Sequence, residues 1–230
     1  MKKAKKVVAL LLCAVLLVVG SVTGTMAYLT SQDEVVNTFT VGKVNITLDE
    51  KDTDNTKTGV VDGETPAGRD KANAYHVIPG AVFEKDPVVT VKANSENAYV
   101  RAMVTVTYKA AADTVIPADF FTSWVKGYEF NTWKYEDMTT SKETKDGVEW
   151  ITRTYELRYK EVVEKSSTDN RLVAIFTGIE IPGEGLDNAQ IATLEGLQID
   201  VVAHAVQADG FTDAADAWRK TFDKPTTGNN

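Results

Sequence analysis

The sequence predicts an all-β protein, built as an antiparallel β-sandwich with short helical decorations. Three observations support this prediction. Val, Thr and aromatic residues are plentiful and recur in runs that alternate with polar residues. These runs are short and are separated by clusters of Gly, Pro, Asn and Asp. They do not alternate with long helical patterns, which argues against a parallel α/β sheet, and we expect roughly eight to ten strands.

The clearest strand candidate is Tyr99–Lys109, because apolar and polar residues alternate along its whole length. This pattern is typical of a half-buried antiparallel strand. One face is predicted to point into the core, and it carries Val100, Ala102, Val104, Val106 and Tyr108. The opposite face carries Arg101, Thr105, Thr107 and Lys109.

The remaining elements follow from similar patterns. Further strands are predicted at Thr38–Leu48 with a bulge at Gly42, at Pro87–Lys92, in a hairpin of Tyr128–Tyr135 and Val148–Val163 around a polar connection, at Arg171–Ile181 and at Leu197–Gln207. Short helices are predicted at Pro117–Val125, at Leu186–Leu194 with Asp187 as N-cap, and in the segment "DGFTDAADAWRKTFD" near the C-terminus.

Asp49–Lys71 is predicted to be a long solvated loop, because it is rich in Asp, Thr, Asn and Lys and has no apolar period. Within it, "DTDN" at Asp52–Asn55 faintly resembles a calcium loop. The glycine and the distal glutamate of an EF-hand are not in place. A solvated loop is therefore the favoured interpretation, with a cation site as the alternative.

Residues 1–27 have the three parts of a secretory signal peptide. Four lysines form a basic head, Val7–Gly20 is an uncharged apolar core, and small residues end in Thr25-Met26-Ala27. Cleavage after Ala27 would make Tyr28 the new N-terminus. Cleavage at Gly24 is a weaker alternative, and retention as an uncleaved anchor is another.

Cysteine content and charge narrow the class of protein. Cys13, the single cysteine, lies within the apolar core of the signal, so the mature chain has no disulfide and depends on its packed core. Acidic residues outnumber basic ones by 33 to 25, and removal of the lysine-rich head strengthens this excess. An acidic surface argues against a nucleic-acid partner. A secreted, disulfide-free protein suits a bacterium.

The sequence contains few residues in patterns typical of catalytic sites, and we assign no catalytic, cofactor-binding or metal-binding residues. The two histidines, His76 and His204, are not in an H-E-x-x-H arrangement, and a metal site that combines them with a carboxylate is a minor alternative. The tail "KPTTG" lacks the Leu and the hydrophobic anchor of a sortase signal. The tryptophans more often fill a sandwich core than form a carbohydrate platform; they are Trp124, Trp133, Trp150 and Trp218.

Three stretches resemble the TasA/camelysin family, whose members are exported with a signal cut by a SipW-like peptidase. They are "GTMAYLTSQDEVVNTFTVGKVNITLDE", "VIPGAVFEKDPVVTVKANSENAYVRAMV" and "LEGLQIDVVAHAVQADGFTDAADAW". The resemblance implies a jelly-roll-like sandwich and a structural subunit of biofilm matrix fibres, located outside a Gram-positive cell. It also implies that the segment freed by signal cleavage pairs with the next subunit. Camelysin is described as a metalloprotease, but this sequence offers no zinc motif to carry that activity.

On this interpretation residues 28–37 form an N-terminal arm, 38–222 the sandwich and 223–230 a disordered tail. Leu29, Val35 and Val36 of the arm would fill pockets in a neighbouring subunit by donor-strand addition. A contact of this head-to-tail kind does not close and therefore builds filaments. The alternative is that the arm is a frayed terminus or pairs within its own sheet.

The expected partners are other copies of this chain, a SipW-like signal peptidase and accessory matrix proteins. Two rival functions remain open at this point. One is a monomeric cell-surface module that binds a glycan or a protein. The other is a camelysin-like metallopeptidase that uses His76 and His204.

Overall fold

The computed structural model describes residues 43–54, 68–73, 75 and 78–222. The chain divides after Val41, and every described residue belongs to the second unit, Gly42–Asn230. This part of the chain is mostly β and its strands pair antiparallel, which confirms the predicted all-β class. The strands are β1 (Ile46–Lys51), β2 (Arg69–Asp70), β3 (Val82–Glu84), β4 (Val88–Val91), β5 (Ala98–Lys109), β6 (Val125–Lys126), β7 (Trp133–Lys145), β8 (Val148–Tyr159), β9 (Asn170–Arg171), β10 (Gly178–Glu180) and β11 (Gln198–Gln207).

The described strands form three sheets. The largest, called here the large sheet, has the order β11-β5-β8-β7. The second has the order β2-β1-β4-β9, and the third β3-β10-β6. Backbone hydrogen bonds from Ile175 N to Pro87 O (3.0 Å) and from Lys85 N to Thr177 O (3.3 Å) lie between these two smaller sheets. The smaller sheets are therefore continuous through the segments that join β3 to β4 and β9 to β10.

β5 is the central strand of the fold, and its predicted core face is correct. Val100, Ala102, Val104 and Val106 have no exposed surface, and Tyr108 is 1% exposed. The strand pairs along its length with β8 on one side and β11 on the other. Its buried face belongs to one hydrophobic cluster that also takes residues from both smaller sheets, such as Val89 and Ile179.

The opposite face of β5 is less exposed than the alternation predicts. Arg101 is only 4% exposed, because its guanidinium lies over the rings of Trp218 (4.8 Å) and Phe222 (5.0 Å). These rings come from the C-terminal helix and its end, and the Trp218 side chain is itself buried. The C-terminal helix therefore covers one end of the outer face of the large sheet.

The hairpin of β7 and β8 corrects the prediction of a polar connection between two strands. The segment "EDMTTSKETK" is part of β7, and the turn is only Asp146-Gly147. Both turn residues have positive φ, 51° and 78°, as the type I′ turn of a two-residue hairpin requires. β7 lies at the edge of the sheet and is largely exposed, so backbone pairing rather than an apolar period maintains it.

Two further predictions of loop and strand are wrong. Asp49–Lys71 is not a loop throughout, since β1 continues to Lys51 and β2 pairs with it through Glu50 and Asp70. Arg171–Ile181 is not one strand but is divided between β9 and β10. The predicted start of the first strand and the bulge at Gly42 lie outside the described residues, as do residues 1–37 and the tail 223–230.

The helices of the described residues are short. They are α1 (Phe120–Ser123), α2 (Asn188–Thr193), α3 (Ala214–Thr221) and a 3₁₀ turn at Ala110–Ala112. Asp187 caps α2 as predicted, accepting a hydrogen bond from Gln190 N at 2.8 Å, while the Gln190 side chain accepts from Asp187 N at 2.9 Å. Across the described ranges, no helix has the length and apolar character needed to cross a membrane.

A buried arginine ties the connection after β5 to the core. Arg153 lies on the inward face of β8 and is 8% exposed. Its guanidinium donates to Asp113 Oδ1 (2.7 Å), Ile116 O (3.2 Å) and Pro117 O (2.9 Å). Arg153 thereby satisfies carbonyl groups of a non-regular segment that would otherwise lose their hydrogen bonds.

Replacing Arg153 by Ala should lower the free energy of unfolding by roughly 2–4 kcal/mol, because buried acceptors lose charged donors. Urea denaturation measures the change. The matched control is Lys142→Ala, which breaks an exposed ion pair with Glu149 and should cost at most about 0.5 kcal/mol. Equal stability of the two variants would contradict a structural role for Arg153.

Candidate functional site

The outer edge of β11 is the most unusual surface of the large sheet. Among the described strands, β11 has a neighbour on one side only, β5. Its ten residues pair with β5 in continuous register from Gln198 to Gln207, with no bulge. Its sequence, QIDVVAHAVQ, contains no Lys, Arg or Pro, and Asp200 is its only acidic residue. Long, regular and apolar strand edges of this kind readily accept another strand.

A groove follows this edge. It consists of two adjoining depressions of about 440 and 410 Å³ that share Asn73, Lys85, Ile199 and Asp200. Residues 197–203 form one side along its full length. The opposite side is formed by β1 at one end and by apolar side chains at the other, including Phe83, Ile179 and Ile181. The groove is therefore long, narrow and bounded by strand backbone on one side.

β1 offers a second open edge within the groove. It pairs with β4 through Ile46–Asp49, and β2 joins it only at Glu50 and Lys51. Among the described strands, none pairs with the other side of β1 along Ile46–Asp49. The Lys71 ammonium donates to the Leu48 carbonyl at 2.8 Å, so a side chain contacts the backbone there. Cα atoms of β1 and β11 come within 8 Å of each other.

The other edge of the large sheet differs in the features that control strand pairing. β7 carries six charged side chains along its thirteen residues and has a register shift between Tyr135 and Asp137. Charges and bulges are the usual means by which natural proteins protect a sheet edge from unwanted pairing. β7 is protected by charges and a register shift, whereas β11 has almost no such protection. Of the two edges of the large sheet, β11 is therefore the one better suited to pair with another strand.

Buried charges form the wall of the groove behind β1. The Asp49 carboxylate, with only 1% of its side chain exposed, accepts from Arg69 Nε at 2.6 Å and from Arg171 Nη2 at 3.1 Å. Arg69 also donates to Asp86 Oδ2 at 2.5 Å. The charges of Asp49 and Arg69 therefore each have an opposite charge at hydrogen-bond distance, as burial requires.

Tyr75 lies in the same wall. Its hydroxyl donates to Glu84 O at 2.9 Å and its ring packs edge-on against Phe83, with ring centres 6.0 Å apart. Burial raises the pKa of this phenol well above its usual range, and the Glu50 carboxylate adds to the effect. Tyr75 therefore stays neutral and acts as an apolar surface with one polar contact.

The aspartates of the "DTDN" segment form a cluster that sequence spacing did not reveal. Carboxylate oxygens of Asp52, Asp54 and Asp70 lie within 4.8 Å of one another. Asp70 joins them because β2 pairs with the end of β1. Close carboxylates are common on acidic proteins without an ion, and we assign no metal to this cluster.

Most residues singled out in the sequence lie outside the described part of the chain. These are the cleavage residues Ala27 and Tyr28, the arm residues Leu29, Val35 and Val36, and His76. His204 is described and lies on the outer face of β11, where its ring stacks on Phe222 and its Nδ1 accepts from Arg101 Nε at 3.3 Å. Its interaction with His76 therefore stays an untested prediction.

The burial of the tryptophans indicates that they pack in the core and do not form a platform for carbohydrate binding. Trp124, Trp133 and Trp218 are at most 2% exposed, and only Trp150 is half-buried. They therefore do not form a shared exposed surface.

Comparisons of the chain with protein-family models, with curated proteins and with solved structures return no match. The assignment of function therefore depends on the residues and geometry described above.

The open edge predicts a specific pattern of amide hydrogen exchange in monomeric protein that begins at Tyr28. In β11, amides that point towards β5 should be protected, whereas alternate amides that point into the groove should exchange with little protection. Amides of β5 should be protected on both sides. NMR-detected exchange resolves the alternation, and uniform protection along β11 would show that the edge is covered in the monomer.

Proposed function

We propose that this chain is a secreted structural subunit that assembles head to tail into an extracellular fibre, as its resemblance to the TasA/camelysin family implies. The N-terminal arm of one subunit would add as a strand to the β11 edge of the next. Signal cleavage by a SipW-like peptidase would free the arm, and accessory matrix proteins are further expected partners. No catalytic residue, cofactor or metal is assigned.

The observation that carries this proposal is the unprotected edge of β11 beside an elongated groove. Strand addition needs backbone donors and acceptors that are free on one side, together with pockets for alternate side chains. Among the described strands nothing pairs with the outer side of β11, and the apolar side chains at one end of the groove, including Phe83, Ile179 and Ile181, offer pockets. The protected edge of β7 favours a single acceptor site per subunit, which suits a linear polymer.

The dimensions also support the proposal. The seven residues 197–203 span about 23 Å as extended chain, and the nine arm residues Tyr28–Val36 can span about 30 Å. One arm is therefore long enough to follow the groove from end to end. The predicted pocket-filling residues Leu29, Val35 and Val36 lie near the two ends of the arm.

Strand addition would require movement of β1. A strand inserted between two others needs about 9.5 Å between its neighbours, twice the usual strand spacing. β1 and β11 already approach within 8 Å. The incoming arm would therefore separate β1 from β11 or pair with β11 alone where they are closest.

The proposed fold is a jelly-roll-like sandwich, with the large sheet as one layer and the two smaller sheets as the other. Its support is the single hydrophobic cluster to which all three sheets contribute, together with the hydrogen bonds that join the smaller sheets. The proposed location is the matrix or surface of a Gram-positive bacterium.

Deleting the arm should abolish assembly. Electron microscopy of concentrated Tyr28–Asn230 should show filaments, and the same protein without Tyr28–Val36 should show single particles. Single particles in both samples, across several pH values and salt concentrations, would contradict self-assembly and favour a monomeric surface module.

A charge on the groove side of β11 should prevent the arm of a neighbouring subunit from binding, although the variant keeps its own arm. Val201→Lys places an ammonium on the inward, partly buried face of β11, where an added strand would bury it further. Val202→Lys is the matched control: Val202 belongs to the same side of the groove, but its side chain is 51% exposed on the outer face of the sheet. We expect filaments from Val202→Lys and not from Val201→Lys.

Circular dichroism must show that both variants fold before the comparison is made. Filaments of normal length from folded Val201→Lys would rule out β11 as the acceptor edge.

A further inference from the structure

A buried lysine, a carboxamide and a carboxylate meet in the groove wall. Glu50 is 5% exposed and Lys85 is 8% exposed. Glu50 Oε2 accepts from Lys85 Nζ at 2.6 Å, and Glu50 Oε1 accepts from Asn73 Nδ2 at 2.9 Å. Both oxygens of one carboxyl group are thus used, one for the amine and one for the carboxamide. Lys85 and Asn73 are therefore held beside each other.

The oxygen of the carboxamide is also bound. Asn73 Oδ1 accepts from Thr53 N at 2.7 Å and from Thr53 Oγ1 at 3.1 Å. Two donors on a carbonyl oxygen polarise it and stabilise negative charge that develops there during nucleophilic attack. The second Nδ2 hydrogen is donated to Lys51 O at 2.9 Å, which fixes the plane of the amide.

We propose that Lys85 and Asn73 become joined by an intramolecular isopeptide bond, with Glu50 as the proton carrier. The cluster contains each part that the reaction needs: an amine nucleophile, a carboxamide carbon, oxyanion donors and a carboxylate in contact with both nitrogens. The inference is independent of fibre assembly, because it concerns the folding of one subunit.

The reaction balances without an oxidant or a cofactor. Nζ of Lys85 attacks Cγ of Asn73, a bond forms between them, and the Cγ–Nδ2 bond breaks. Two of the three protons on Nζ pass through Glu50 to Nδ2, which leaves as ammonium. The carboxylate of Glu50 is regenerated, and the new amide keeps one hydrogen on nitrogen.

The surroundings favour the reaction. The Tyr75 ring lies 5.8 Å from Lys85 Nζ and shields the amine from water on that side. Exclusion of water strengthens the electrostatic interactions between adjacent groups in the site. Thr53 lies at the surface and Asn73 is half-buried, which leaves a route for ammonia to reach solvent. Attack requires Nζ to come to about 3–3.5 Å from Cγ, and the hydrogen bonds of Lys85 and Asn73 to the same carboxylate keep the two side chains close together.

Peptide mass spectrometry tests the proposal directly. In trypsin-digested protein, the bond should block cleavage after Lys85 and yield the peptide Ala72–Lys92 with a mass about 17 Da below that of the unlinked peptide, the mass of one ammonia. Fragmentation should give no backbone ions between Asn73 and Lys85. Cleavage after Lys85 at the unshifted mass in the wild-type protein would overturn the proposal, whatever the variants do.

Two variants and a control identify the chemistry. Lys85→Arg keeps the charge beside Glu50 but removes the amine, and Glu50→Gln removes the proton carrier, so both should lose the mass shift. Lys71→Arg, in the same groove but bonded to Leu48 O, should keep it. A shift that survived Lys85→Arg would indicate a succinimide at Asn73 and overturn the proposal, and a shift unchanged in Glu50→Gln would overturn the role of Glu50.

Discussion

Within the described residues the large sheet is open, and an open β-sheet ends in two strands whose outer backbone groups have no strand partner. The fold treats its two ends differently. β7 is charged and shifted in register near its start, so another chain gains little by pairing with it. β11 has a continuous register and a single charge, Asp200, and it lies along a groove with apolar side chains. The proposed assembly follows from this asymmetry, since a polymer of one orientation needs one receptive edge per subunit.

The receptive edge is supported by an unusual wall. Charged side chains reach the interior behind β1, where Asp49 is shared by two arginines and Glu50 by a lysine and an asparagine. Such clusters are costly to bury and add little net stability, but they are strongly destabilising to break. They fix the conformation of the segments around β2 and β3, which contain few residues in regular strands. The groove thereby keeps its shape although one side is built from short elements.

The sequence predicted those elements whose signals are local. The alternation in β5 and the Asp187 cap of α2 are examples, because each depends on neighbours a few residues away. The predicted strand at Tyr128–Tyr135 covered only the start of β7, and the rest was missed because an exposed edge strand has no apolar period, although Asp146-Gly147 is a recognisable hairpin turn. The cluster of Glu50, Asn73 and Lys85 has no sequence signature. It arises when β2 pairs with the end of β1, placing Asp70 opposite Glu50 and the residues that follow beside it.

The position of β1 has a mechanical consequence. The chain enters β1 directly from the segment that carries the arm, and the same strand lines the groove that would hold the arm of the preceding subunit. In a fibre of the proposed kind, tension would enter each subunit through its own arm and β1, and leave it through β11, which would hold the arm of the preceding subunit. Because β1 is paired lengthwise with β4, a pull along its axis would shear several hydrogen bonds together rather than open them one after another. The load would pass between the sheets of β1 and β11 through the hydrophobic core that they share, so the resistance of the fibre to stretching would depend on that core as well as on strand pairing.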